Sequence, residues 1–263
     1  MIPIIEFLKN KQKPLNIAHR GGMGLYPENT LLGFHASVSD HHADMLEMDL
    51  RITKDGKVLV FHDDKLERTT NGKGKVCDHT YHEISELDAG YWFTNNNIFQ
   101  YRDKGVKAPL LEDIFEQFPD TYVNIEIKDS NKEVVTEVLR IINKFSALER
   151  IIIGSGKFMQ NRRIRHVIPD CGHYLCEVDV YLFASLGYYG CGKKYWQKFD
   201  VVEIPLMYHR FDVYSRLKSA AEKIGLPLIV WGANNLGVND LPMIERLKAD
   251  KVDGIITDRP DLM

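Results

Sequence analysis

At 263 residues the chain is long for one ordinary domain but of normal size for a single α/β barrel. Its 44% hydrophobic and 27% charged residues describe a globular protein with ample core, and a net charge of -3 excludes any general attraction to nucleic acid or anionic membrane. Four cysteines, Cys77, Cys171, Cys176 and Cys191, show no CxxC or zinc spacing and read as the reduced thiols of a cytosolic protein.

The first residues carry too short an apolar run for a signal peptide, with no basic stretch before it. No run approaches the roughly 18 apolar residues of a transmembrane helix, so a cytoplasmic location is expected. A first strand is predicted over Leu15–His19, closing on Arg20-Gly21-Gly22. Tyr26–Thr30 reads as a loop feeding a helix, with Asn29 as a possible N-cap and Leu31, Phe34 and Val38 at helical spacing.

The next stretch, Ala43–Leu50, is apolar on both faces and reads as a buried strand. Glu47 and Asp49 nevertheless sit inside it, and strand alternation points both to one side. Two acids beside an apolar core are costly unless a cation or good hydrogen bonds compensate them, and a divalent metal is the simplest compensation. After the turn at Asp55-Gly56, a third strand is predicted over Val58–Phe61, ending in His62-Asp63.

Residues 64–106 lack long periodic elements and read as an insertion after that strand, too ragged for a core of its own. Order returns with a helix over Pro109–Phe118, a strand over Tyr122–Lys128 and a helix from Lys132 to Phe145. The second half repeats the rhythm, with strands at Arg150–Ser155, Gly172–Val178, Val201–Pro205, Pro227–Trp231 and Gly254–Asp258. Alternation of strands and helices implies a parallel sheet, either a closed (β/α)8 barrel or a wide open sheet. Nine strand candidates compete for eight barrel positions, so at least one lies outside.

In a barrel, catalytic groups gather at the C-terminal strand ends. Here those ends carry His19-Arg20, Glu47 and Asp49, His62-Asp63, Glu126 and Lys128, and Trp231. Glu126 repeats the same-face geometry as a third carboxylate, completing an oxygen-rich site suited to magnesium or calcium. Lys128 and Arg20 supply charge and a fork for phosphate oxygens, and His19 and His62 a general acid and a general base. Metal, acid, base and phosphate clamp together specify phosphodiester cleavage.

Plainer readings compete. Glu47 and Asp49 could pair with Arg51 or Arg68, and Lys128 with Glu126. Glu28, Asn29, Thr30, Asp63 and Asp258 read as structural, and His41, His42, His79 and His82 as surface residues. Gly154-Ser-Gly-Lys157 lacks the first glycine and the Ser/Thr of a phosphate-binding loop, and Gly22-Met-Gly24 lacks a dinucleotide context.

The ordered fragments His19-Arg20-Gly21, Pro27–Thr30, Glu47-Met48-Asp49, Thr53–Gly56, His62-Asp63, Arg68-Thr69-Thr70, Pro109-Leu110, Glu126-Ile127-Lys128, Trp231 and Asp253–Asp258 together resemble the glycerophosphodiester phosphodiesterase family. The resemblance is dense up to residue 128 and sparse between 150 and 230, and Trp231-Gly-Ala-Asn234 stands where the family has Trp-Thr-x-Asn. It implies one phosphodiesterase barrel over residues 1–263, of the TIM type, with an insertion after the third strand. It further implies that Glu47, Asp49 and Glu126 bind one divalent cation, Mg2+ or Ca2+, that His19 and His62 form the acid–base pair, and that Arg20 and Lys128 hold phosphate. The reaction it implies releases sn-glycerol 3-phosphate and an alcohol through a cyclic phosphate. Trp231 is expected either in the core or as a wall of the substrate pocket.

Residues 180–196 read first as a core-facing helix and second as an apolar, aromatic and basic rim for peripheral contact with lipid headgroups. With Pro109–Pro119 and Val202-Glu-Ile-Pro205 they look similar to the family branch that cleaves lysophospholipids, so lysophospholipase D is the alternative activity. A non-catalytic phosphoester-binding barrel ranks lower, since every proposed catalytic group is present.

Overall fold

The computed structural model describes residues 2–10, 14–187, 189, 191–206, 214–232 and 238–263. Asn234, Tyr188 and Gly190 of the stretches above lie outside the described residues. Nine strands form one sheet: β1 (Leu15–Ala18), β2 (Met45–Ile52), β3 (Val58–Val60), β4 (Tyr122–Ile127), β5 (Ile151–Gly154), β6 (Gly172–His173), β7 (Val202–Pro205), β8 (Leu228–Trp231) and β9 (Gly254–Thr257). Eight pair in parallel in the order β6-β5-β4-β2-β1-β9-β8-β7, while β3 pairs antiparallel with β2 alone. A parallel bridge between Tyr174 and Val201 joins the two edge strands, so the sheet curls round into a TIM-type barrel.

The ninth candidate is therefore β3. It falls outside the barrel because only residues 53–57 separate it from β2, too few for the crossover a parallel neighbour needs. The insertion follows β3, the third strand in chain order, which places it after the second strand of the barrel. Residues 174–178, expected as strand, instead leave β6 and enter a helix at Glu177. Asn29 is not the N-cap of its helix. It lies at φ 55, and Thr30 Oγ1 accepts from Gly33 N at 3.3 Å instead.

The described helices are α1 (Ile4–Asn10), α2 (Leu31–Ser39), α3 (Tyr81–Ser85), α4 (Leu111–Gln117), α5 (Lys132–Lys144), α6 (Phe158–Val167), α7 (Glu177–Leu182), which runs on as a π-turn over Phe183–Gly187, α8 (Lys193–Trp196), α9 (Tyr214–Ile224) and α10 (Leu241–Ala249). Side-chain alternation divides the core between two surfaces of the sheet. Ala18, Leu46, Met48, Leu50, Val123, Ile125 and Ile153 pack outward against helices, as do Val202, Ile204, Val230 and Ile255 on the other side. Leu15, Ile17, Met45, Tyr122, Ile152, Val201, Ile229 and Ile256 face one another inside.

Ile4 and Leu8 of α1 join that inner cluster beside the first residues of β1, β2 and β4, flooring the barrel. Phe7 stacks on Tyr122 at 4.6 Å. The insertion does have a small core. Leu66, Val76, Ile84, Ala89, Val106 and Ala108 pack with Leu59 and Phe61 of the β3 segment, which supply the apolar surface that the insertion lacks by itself. Arg102 lies over the rings of Phe99 and Tyr91, at 3.8 and 4.4 Å from their centroids.

Candidate active site

The floor is apolar, so the same inward alternation that gives Met45 and Tyr122 must place the next inward residues of β2 and β4 higher in the barrel. Those residues are Glu47 and Asp49 on β2 and Asn124 and Glu126 on β4, held in register as Glu47 beside Asn124 and Asp49 beside Glu126. Across the barrel, β7 contributes Glu203, whose Oε1 accepts from Asn124 Nδ2 at 2.8 Å. Sequence reading missed Glu203, although it too interrupts an otherwise apolar strand. Only the curl of the sheet brings β7 opposite β4.

Asp49 is the most enclosed acid of the site, 1% exposed, and also the best compensated. Lys128 Nζ lies 3.0 Å from its Oδ1, and Asn29 Nδ2 donates to Oδ2 at 3.0 Å. Arg20 Nε lies 3.1 Å from the same Oδ2 without hydrogen-bond alignment. Burial opposes its charge, but Lys128, Arg20, His62 and Asn29 outweigh burial and hold its carboxyl below the usual range. Glu47 goes the other way. Burial and the charge of Asp49 push it up, against Arg20 N, which donates to its Oε2 at 2.8 Å. Glu203 is pushed up to about 8 by burial, with Glu47 and Glu126 adding to the effect.

Lys128 Nζ donates to Glu126 Oε2 at 2.6 Å, so the plainer Lys–Glu pairing is realised. Glu47 and Asp49 do not pair with Arg51 or Arg68. Arg51 binds Asp129 and the carbonyl of His62, at 2.8 Å each, and so positions the loop that carries His62. The histidine reaches the mouth because antiparallel β3 runs back along β2, with Phe61 N donating to Asp49 O at 2.8 Å. It is therefore not carried by a barrel strand end.

Each histidine has one ring nitrogen held by a carboxylate. His19 Nδ1 lies 2.5 Å from Asp258 Oδ1, and His62 Nδ1 lies 2.6 Å from Asp63 Oδ1. A carboxylate only accepts, so Nδ1 carries the proton in both rings and Nε2 is left for chemistry. His19 Nε2 lies 3.9 Å from Glu47 Oε2. Burial lowers the proton affinity of His19, yet Asp258 and Glu47 leave it raised, while burial with Arg20 and Lys128 leaves that of His62 lowered.

Asp258 and Asp63 thus orient the two imidazoles, a role that the turn context of Asp258 hides. The signal for Asp258 lies in strand register: Ala18 pairs with Thr257, so the residues that follow are neighbours. Glu28 also does more than brace its loop. It accepts from Arg20 at 3.0 Å and from both terminal nitrogens of Arg68 at 2.7 Å, and Arg68 in turn grips Asp63. One chain of ion pairs therefore runs from Arg20 to His62. Arg20 itself takes a left-handed φ of 49, which costs of order 1–3 kcal/mol in a non-glycine residue. Trp231 is half-buried at the end of β8 against the inner cluster.

Residues 19–262 match the profile of the glycerophosphoryl diester phosphodiesterase family. The chain belongs to this family. It is a phosphoric diester hydrolase. It is 32% identical over 258 residues to a glycerophosphodiester phosphodiesterase of Caldanaerobacter subterraneus subsp. tengcongensis, covering 95% of this chain and 96% of the relative. It is also 33% identical over 162 residues to a lysophospholipase D of Homo sapiens, covering 59% of this chain and 50% of that protein. Among solved structures, an Oleispira antarctica phosphodiesterase in complex with the product sn-glycerol-3-phosphate shares the fold, at TM-score 0.72 and 23% identity over 95% of this chain and 94% of that one.

Among the described residues no three acid, histidine or cysteine groups converge closely enough to hold an ion, and Lys128 Nζ bridges Asp49 and Glu126. The donor chemistry nevertheless fits a hard divalent cation. Glu47, Asp49, Glu126 and Glu203 offer carboxylate oxygens and Asn124 an amide, the carboxylates outnumber the cations beside them, and Glu47 is left with raised proton affinity, which a cation would relieve.

Proposed function

We propose that this phosphodiesterase hydrolyses glycerophosphodiesters to sn-glycerol 3-phosphate and an alcohol, with His19 and His62 as the acid–base pair. The observation that carries this reading is the pair of carboxylate-held imidazoles beside one group of inward carboxylates. Glu47, Asp49 and Glu126 would hold one divalent cation, Mg2+ or Ca2+, which supplies charge neutralisation for the phosphoryl oxygens. Arg20 and Lys128 add positive charge at the same place, and a third Lys128 N–H remains beyond its two carboxylate contacts. Trp231 forms a wall for the substrate.

In the chemical steps, Nε2 of one histidine takes the proton of the glyceryl 2-hydroxyl, whose oxygen attacks phosphorus. The bond from phosphorus to the departing alcohol breaks, and the other histidine protonates that oxygen. Water then opens the cyclic phosphate, with the two histidines exchanging roles.

A second reading, lysophospholipase D activity, is favoured by one feature. Val178, Tyr181, Leu182, Leu186, Tyr189 and Tyr195 are all at least 37% exposed, in the same stretch as exposed Lys193 and Lys194. This stretch mixes both sequence expectations, because Phe183 and Trp196 are buried in the core. Its apolar rim with basic flanks suits peripheral contact with a lysolipid or its membrane.

Phosphorus NMR of the protein with equal glycerophosphocholine and lysophosphatidylcholine, magnesium present, separates the two. Growth of glycerol 3-phosphate alone is the expected result. A lysophosphatidic or cyclic phosphatidic signal would make the second reading the better one, and silence from both, repeated with calcium, would count against both choline esters.

A further inference from the structure

One inward residue at the level of the carboxylates has no part in the chemistry above. Tyr174 follows β6, is 7% exposed, and turns its ring into the barrel among Ile152, Val201 and Ile229. Its ring tip lies over Gly154: a methyl placed there would sit 2.6 Å from Tyr174 Cζ and 2.7 Å from both Cε atoms. Any side chain at 154 would therefore expel the ring, and glycine is the residue that admits it.

Gly154 pairs in register with Glu126, so the ring tip over Gly154 lies on the strand next to the third carboxylate of the site. Yet the hydroxyl makes no hydrogen bond with the described residues, and the residue's one long-range polar contact is the backbone carbonyl that accepts from Asn161. The oxygen is not among the fully enclosed polar atoms that lack a partner, so it keeps some access to solvent. A phenol is neutral near pH 7 and can donate one hydrogen bond.

We propose that Tyr174 contacts the substrate, its phenol donating a hydrogen bond to a phosphoryl oxygen of the bound phosphodiester, and that Gly154 is present to make room for the ring. This rests on the phosphodiesterase reading above. It adds to the site a neutral donor beside the charged ones of Arg20 and Lys128.

The test is Tyr174→Phe, which removes one oxygen and keeps the ring. Glycerol 3-phosphate affinity by calorimetry, KM for glycerophosphocholine, magnesium affinity and melting temperature are measured on both proteins. The expected result is product binding and KM weakened roughly tenfold to a hundredfold, the worth of one hydrogen bond to a charged group. Magnesium affinity and melting temperature should stay within twofold and within a degree or two. Gly154→Ala should weaken product binding in the same direction by displacing the ring. Unchanged product affinity in Tyr174→Phe overturns the proposal, and so does a loss that tracks weakened magnesium binding, which would mean the phenol serves Glu126 instead. If the unaltered protein neither binds glycerol 3-phosphate nor cleaves glycerophosphocholine, it is the phosphodiesterase reading with this substrate that fails.

Discussion

Replacing His62 or His19 with alanine should lower kcat about a hundredfold to ten-thousandfold, the range in which a positioned acid or base contributes. Both side chains are partly exposed at the mouth, 31% and 21%, so neither truncation opens a cavity in the core, and the unfolding midpoint should barely move. The double variant should be scarcely worse than either single one, because groups that act as a unit do not contribute additively. Asp258→Asn gives a graded version. An amide can donate as well as accept, so Nδ1 of His19 loses the partner that fixes its tautomer, and kcat should fall while KM stays close to its original value. Steady-state rates on glycerophosphocholine check this set. A His62→Ala protein within tenfold of the original kcat would remove His62 from the chemistry.

Asp49→Ala should have the largest effect on stability of any single change at the site. The carboxylate is 1% exposed and faces Lys128, Arg20 and Asn29 at 3.0–3.1 Å, so its removal takes from each of two largely buried cations one of its two carboxylate partners and orphans the Asn29 amide. Breaking such a buried group from one side costs on the order of 3–5 kcal/mol. Glu47→Gln offers the contrast. Burial and Asp49 already disfavour the charge of Glu47, and an amide oxygen still accepts from Arg20 N, so the change should cost little or nothing in stability. Urea unfolding in EDTA measures both without a metal contribution. Activity should be lost in both, since each removes a carboxylate from the proposed cation set. Equal stability losses for the two would show that their electrostatic surroundings do not differ as described.

Much of this site is legible along the chain. Glu47, Asp49 and Glu126 stand out because carboxylates interrupt otherwise apolar strands, and strand alternation alone places them inward. What sequence spacing conceals is whatever depends on the closing of the sheet. Glu203 becomes a neighbour of Asn124 on β4 only when β6 and β7 meet at the Tyr174–Val201 bridge, and Tyr174 meets Gly154 only through the β5–β6 pairing. Asp258 lies far from His19 in sequence and is placed beside it by the β1–β9 register. The direction of β3 was readable in principle, since its short link to β2 forbids a parallel crossover. Helix α1 escapes notice because its Ile4 and Leu8 look like an ordinary terminus until the barrel floor needs filling. The insertion resists reading for a related reason: Leu59 and Phe61, which complete its small core, belong to the preceding strand segment.

The measurement that bears most directly on the site as a whole is a phosphorus NMR time course with glycerophosphocholine, run as prepared, after EDTA, and after magnesium is returned. Glycerol 3-phosphate should accumulate in the first, stop in the second and resume in the third, because the Glu47, Asp49 and Glu126 carboxylates need a cation before an anionic phosphodiester can settle among them. Hydrolysis continuing at an unchanged rate in EDTA would contradict the assignment of these three carboxylates to a metal and leave Arg20 and Lys128 as the sole compensation for the phosphate.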